Sequence, residues 1–337
     1  MTAPPRLPLV PARAMRRALI GAGGIGLALL AALVGAPLLA GQPPLQVGQQ
    51  LLNGLFSGSV YALFAVGYTL IFGVLDILNL AHAAIFATGG MVAWWLVTEG
   101  WSIWLALIAA TLLAGVLGIV LDRVAFLRLR QRGAGPLSPL ISSIGMALVF
   151  EGLLYWRFGP DNQAYPADTI PRAPWVIGGL RIAPVEVIVL VVAIGLMVGL
   201  HALVQRTAFG RQLRAVAENP RAAALLGVNV ERIILTTFFL ASALGGAAGV
   251  LYGMSLNNVE LAMGSQVELK GLAVIILGGM GSIPGAVLGG FLLGLIEVGT
   301  AAFVSSELRD AAAFTVLFVM LLIRPEGLFG ARTGRVG

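Results

Sequence analysis

The sequence predicts an all-α protein, a polytopic transmembrane helical bundle of about ten spans (8–10) with both termini cytoplasmic. Three observations predict it. The first is composition: 58% of the 337 residues are apolar and 11% are charged, against about 25% charged in a soluble domain, and mean hydropathy is +0.95. A chain with so little charge cannot clothe a water-facing surface, which excludes a cytosolic globular enzyme and a disordered tail. The absence of cysteine excludes a disulfide scaffold. The second is continuity: Leu, Ala, Val and Ile form unbroken runs of about 20 residues, the length a hydrocarbon core requires, with none of the alternation of barrel strands. The third is the placement of arginine between those runs.

The spans read along the chain as 18–40, 48–72, 80–98, 101–121, 137–157, 183–204, 232–255, 268–282, 284–303 and 310–323. Residues 45–98 carry few charges and admit a different cut. The stretch 268–303 is broken at Gly281-Ser282-Ile283-Pro284-Gly285, read either as a tight cytoplasmic turn or as a helix discontinuity lining a pathway. Residues 1–17 form an N-terminal tail, 18–323 the membrane domain and 324–337 a C-terminal tail. Arg16-Arg17 followed by an apolar run and small residues at Ala36–Ala40 also fits a secretory signal; cleavage there leaves the later topology unchanged.

Orientation comes from the basic residues. Sixteen arginines lie before the first span, after the fourth, between the sixth and seventh and after the tenth; Arg157, Arg172, Arg181 and Arg309 lie on the opposite side. The richer side is assigned to the cytoplasm. The net charge of +6 is therefore a topology signal and not a nucleic-acid footprint. Segment 158–182, the longest outer loop, reads as an irregular cap with interfacial aromatics or as a docking surface for an external partner.

The cytoplasmic segment 205–231 is too charged to span and too regular for a linker. Residues 209–218 favour helix; Asn219 caps a second helix with Pro220 at its first position, where a missing N–H is harmless. Gly227 ends it. The pair presents an amphipathic surface at the membrane face.

The polar content of the spans is small. Lys270 is the only lysine, and no phosphate-binding GxxxxGK[ST] loop can be built on it, so any ATP site belongs to another chain. Gly21-Ala22-Gly23-Gly24-Ile25-Gly26 matches GxGxxG but lies in a membrane span with no strand before it. No catalytic set, cofactor site or metal site emerges. Two glycine ladders, Gly245/Gly249/Gly253 and Gly281/Gly285/Gly289, mark close helix packing, static or sliding. Glu151, Glu268, Lys270 and Glu297 are intramembrane ionisable residues; Glu268 and Lys270 read as snorkelling at a span start, Glu297 as facing a vestibule or pairing with another helix. Asn53, Ser57, Ser59, Tyr61, Thr69, Ser142 and Ser143 are candidate pathway residues on polarity within spans. Asn79 and His82 join them at a span edge, with Asp76 nearby.

Several blocks together resemble the branched-chain amino acid ABC transporter permeases, the LivH/LivM family, nearer LivH. They are Asn53-Gly54-Leu55 with Gly58–Leu63 and Gly67–Gly73, Asn79-Leu80-Ala81-His82, Leu140–Met146, Gly210–Arg232 and Leu277–Ala286, in family order over residues 48–330. Ala83 departs from the family's glycine after the histidine. The resemblance implies an importer subunit for branched-chain or related amino acids, amides or urea, in a bacterial inner (plasma) membrane. It implies a second, LivM-like permease, two ATP-binding subunits carrying ATP and Mg, and a periplasmic or extracytoplasmic substrate-binding protein. In it, 205–231 becomes the coupling segment. Arg211, Arg214, Glu218 and Arg221 would then dock an ATPase by charge, and Ala223, Ala224 and Leu225 by packing, with Gly227 closing the helix. The alternative is an ion-coupled secondary transporter, which requires paired intramembrane acids; Glu151 and Glu297 are its candidates.

Overall fold

A computed structural model describes residues 35–135, 137–166 and 168–329. The tail 1–17, most of the first expected span and residues 330–337 lie outside the described residues.

The chain is a helical bundle. Helix α1 (Pro44–Leu75) starts with proline in its first turn and ends at Asp76, whose left-handed backbone (φ 54°) lets its N–H reach Phe72 O at 2.8 Å. Then follow α2 (Ala81–Thr98), α3 (Ile103–Gln131) and α4 (Leu137–Phe158). Helix α3 contains one π-helical stretch, Asp122–Phe126. Next come α5 (Pro184–Arg206), the short α6 (Ala208–Glu218) and α7 (Pro220–Leu225), and α8 (Val230–Leu256). The chain closes with α9 (Met263–Gly278), α10 (Ile283–Phe303) and α11 (Arg309–Ile323).

Among the described residues seven helices, α1 to α5, α8 and α10, are long and apolar enough to cross a membrane. Helices α9 and α11, with 16 and 15 residues, stand where the spans 268–282 and 310–323 were expected. The break at 281–285 is a tight turn and not an unwound helix. Gly279 (φ 99°) and Gly281 (φ 84°) reverse the chain, and the Ser282 hydroxyl caps α10 by accepting from Gly285 N at 3.2 Å.

The loop 158–182 contains structure that the all-α expectation lacked. Strands β1 (Trp175–Ile177) and β2 (Leu180–Ile182) form an antiparallel hairpin pairing Trp175 with Ile182 and Ile177 with Leu180. Gly178 and Gly179, at φ 59° and 86°, supply the two positive angles such a tight turn demands. The hairpin is strapped to α1 by Gln49, which donates to Arg181 O at 2.9 Å and accepts from Arg181 N at 2.8 Å. A backbone bridge joins Gln163 to Val259 at 2.9 and 2.8 Å. This hairpin end lies opposite the arginine-rich end, where Arg123 pairs with Glu231 across α3 and α8.

Helices α1, α2 and α8 form the buried centre, while α3, α4 and α5 present much of the apolar surface. Glycine makes this centre possible. A Cβ on Gly249 of α8 would overlap the Phe86 carbonyl oxygen of α2, and one on Gly290 of α10 would overlap the backbone of Ala62 in α1.

Arg172 holds the long loop down. It donates to Met254 O at 3.0 Å and Asn257 Oδ1 at 2.9 Å, at the end of α8. Burial lowers its guanidinium from the ordinary arginine value, and Tyr165 beside it offsets part of the shift. Arg172→Leu is expected to free residues 159–183, read as faster protease cleavage in that loop, roughly ten-fold, while the helices stay protected. Equal cleavage of both proteins counts against the strap.

Candidate functional site

At the arginine-rich end, α6 and α7 make a compact, well-capped elbow. Thr207 caps α6, accepting from Gly210 N at 3.1 Å; Asn219 caps α7, accepting from Ala222 N at 3.0 Å; Asn229 caps α8, accepting from Arg232 N at 3.0 Å. Leu213 and Val216 turn α6 into the bundle. Gly210 allows α6 to lie against the end of α5, since a Cβ there would overlap Val204 O. Arg214 donates to that same carbonyl, tying α6 to α5. Gly227, at φ 85°, closes the elbow.

The docking set is divided by this geometry. Arg211, Glu218, Arg221, Ala224 and Gly227 are exposed. Leu225 is 90% exposed, and so, at 84%, is its neighbour Leu226, which sequence reasoning passed over. Ala223, expected on the docking face, is 2% exposed and packs into the bundle. The α7 turn presents Ala224 outward while Ala223 looks back, an assignment that three consecutive alanines do not reveal.

The nine candidate pathway residues differ in burial and in hydrogen bonding. Asn53 is engaged on its own helix by Gln49 (3.0 Å) and Gln50 (3.1 Å), and Ser57 is half-buried beside it. Ser59 is buried and donates to Phe56 O at 2.7 Å. Ser142 donates to Ala125 O at 3.0 Å, joining α4 to α3. Ser143 donates to Leu140 O at 2.7 Å and accepts from Leu80 N at 3.1 Å, joining α4 to the α1–α2 link. Ser59, Ser142 and Ser143 thus each donate to a backbone carbonyl. Thr69 Oγ1 and the Asn79 amide are buried without a hydrogen-bond partner among the described residues.

His82 sits in a slot cut by glycine. Its Nε2 lies 3.3 Å from Phe64 O, and its ring is 5.5 Å from the Tyr68 ring centre. A Cβ on Gly245 would come within 2.7 Å of the imidazole, so this ladder glycine accommodates a ring. Gly249 meets α2, and Gly253 faces Val259. Gly285 and Gly289 pack α10 on α9, while Gly281 stands in the turn and belongs to neither helix. Gly54 and Gly58 of α1 against Gly290 and Gly294 of α10 form a further seam.

Tyr61 of the pathway set borders a charged group. Lys270 of α9 pairs with Glu297 of α10, which also pairs with Arg309 at the start of α11. Lys270 Nζ is 3.2 Å from Asp310 Oδ1 and 3.5 Å from the Tyr61 hydroxyl. Lys270 therefore does not snorkel alone, and Glu297 pairs with other helices. A second pair missed by sequence reading, Asp122 with Arg130, buries its carboxylate completely at the π turn of α3. No group of three or more metal-ligating side chains occurs among the described residues.

Residues 50–323 match the family described as the branched-chain amino acid transport system permease component. The chain belongs to that family. The permease is 32% identical over 296 residues to the high-affinity branched-chain amino acid transport system permease protein LivH of Escherichia coli, covering 84% of this chain and 95% of that one. It is 35% identical, with the same coverage, to the corresponding protein BraD of Pseudomonas aeruginosa. The xylose transport system permease protein XylH of E. coli is similar over 144 residues only, 41% of this chain and 36% of its own length, at 32% identity. The family and the seven apolar helices together make this a multi-pass membrane protein.

Proposed function

We propose that this permease is the LivH-like membrane subunit of a binding-protein-dependent ABC importer for branched-chain amino acids or close relatives. In this reading it has ten spans, counting 18–40 with the nine long or intermediate helices, and it sits in a bacterial inner membrane. The arginine-rich end and both termini face the cytoplasm, and the hairpin end faces outward. A LivM-like permease, two ATPases holding ATP and Mg, and an external binding protein complete the assembly.

The observation that carries the reading is the α6–α7 elbow. Three side-chain caps and the Arg214 tie make it rigid, and it joins α5 to α8 while exposing Leu225 and Leu226. A rigid lever converts displacement of a docked ATPase into movement of two spans, whereas a loose loop dissipates it. Glu297, one of the two acids named for the ion-coupled alternative, is ion-paired with Lys270 and Arg309.

The test is affinity purification of the full chain from native membranes in mild detergent. Co-purification of two ATPase chains and a second permease, followed by ATP-driven leucine uptake in vesicles, is the expected result. A chain that purifies alone after crosslinking and takes up substrate on a proton gradient overturns it.

A further inference from the structure

The charged cluster at the hairpin end has more binding capacity than the fold uses. Four charged side chains from three helices meet: Lys270 of α9, Glu297 of α10, and Arg309 and Asp310 of α11. Tyr61 of α1 closes one wall, with Lys270 Nζ 5.5 Å from its ring centre, and Tyr252 of α8 lies within electrostatic reach of Glu297, Arg309 and Asp310. Five helices thus contribute side chains to this basin of charge.

Lys270 donates to Glu297 and to the Tyr61 hydroxyl and forms an ion pair with Asp310. The Glu297 side chain is 0% exposed, yet its Oε2 accepts from nothing among the described residues. Arg309 reaches Glu297 through Nε alone among the ion pairs and remains 43% exposed; Asp310 is 62% exposed. An orphaned buried acceptor costs its desolvation, and the cost is larger for a carboxylate oxygen than for a neutral hydroxyl or amide. Here a carboxylate oxygen lies idle inside the cluster while a guanidinium and a second carboxylate are exposed beside it.

The formal charges also matter. Two cations and two anions cancel, so the basin offers no net field to a simple ion. A ligand carrying one positive and one negative group can exchange into the network and leave no unpaired charge, whereas a singly charged one strands a charge at low dielectric.

We propose that this basin is a receiving site for a zwitterionic α-amino acid on the outward side of the permease. Its ammonium takes Glu297 Oε2 and Asp310; its carboxylate takes Arg309. Lys270 is a positioning residue that holds both carboxylates. The inference rests on the amino-acid importer reading above and adds the group that meets the substrate.

The test uses the complete importer in vesicles of phosphatidylethanolamine and phosphatidylglycerol, with its binding protein and leucine. Glu297→Gln removes the anionic acceptor but strands Lys270 and Arg309, so it is paired with the double change K270M/E297Q, which removes one charge of each sign. Assembly, binding-protein-stimulated ATP hydrolysis and uptake are measured together. The double variant is expected to assemble with its partners, and its half-saturating leucine concentration for uptake is expected to rise roughly ten-fold or more, the effect of losing a charge-assisted bond. Full uptake by the assembled double variant overturns the site and leaves the cluster as a staple. A difference that vanishes in phosphatidylglycerol-only vesicles also overturns it, by assigning the basin to a zwitterionic lipid headgroup. Absence of ATP-driven leucine uptake in the unaltered complex is a separate result and overturns the importer reading itself.

Discussion

Gly249→Val removes the folded bundle. At this position α8 crosses α2 so closely that even one methyl group would overlap the Phe86 carbonyl oxygen. That oxygen belongs to the backbone of a buried helix, so no rotamer change relieves the clash, and the two helices must separate. Separation opens the seam around it, where Gly89 of α2 lies against the Gly246 carbonyl and His82 against Gly245. Helices in lipid are held by close packing, without the water-driven term that tolerates small gaps in soluble cores. The expected loss is therefore about 3 kcal/mol or more, the upper range for overpacking. It is measured as the fraction of purified protein that stays monodisperse in mild detergent during heating. Gly145→Val is the matched control. Gly145 lies on an exposed face of α4 with nothing within 4 Å of an added Cβ, and its variant should stay within about 0.5 kcal/mol of the parent. Equal behaviour of the two variants would mean that the α2–α8 seam does not set stability.

That contrast also marks where the sequence is legible. Span positions follow from the thickness of hydrocarbon, so the expected segments 48–72 and 232–255 sit inside α1 and α8. Helix ends follow from local chemistry: Asn219 stands directly before Pro220 and Ser282 two residues before Pro284, so each places an oxygen acceptor at the start of a helix with proline in its first turn, and both are caps. The hairpin had its own signal, Gly178-Gly179 between branched and apolar residues, outweighed by the prolines around it. What local pattern does not encode is which faces meet. The four-residue ladder marks Gly249, and not Gly145, for close packing, but it does not name the Phe86 carbonyl that Gly249 meets. Lys270 and Glu297 are 27 residues apart on different helices, so their pairing depends on the α9–α10 turn angle. The same limit separates Ala223 from Ala224, adjacent in sequence and opposite in burial.

Leu225→Asp combined with Leu226→Asp should abolish transport without harming the fold. Both leucines are almost fully exposed on the α7 elbow, so charging them removes no intramolecular packing, and thermal stability should change by no more than about 0.5 kcal/mol. An apolar pair so exposed on a rigid support matches the buried anchor of an interface, and anchors of that kind cost about 2–4 kcal/mol when lost. Retention of the proposed ATPase partner in a detergent pull-down should fall roughly 30-fold or more, and ATP-driven uptake with it. Arg221→Glu gives a graded comparison. Arg221 is exposed next to the anchor, and a rim charge mainly changes association rate and salt sensitivity. Its loss should weaken recruitment several-fold at low salt and little at high salt. Ala223→Asp separates the two faces of the turn: it buries a charge inside the bundle, so it should lower stability as well as recruitment. If the double leucine variant still recruits ATPase and transports normally, the elbow is a linker between α5 and α8, and the coupling surface lies elsewhere at the arginine-rich end. The Arg123–Glu231 pair joining α3 to α8 is then the next region to probe.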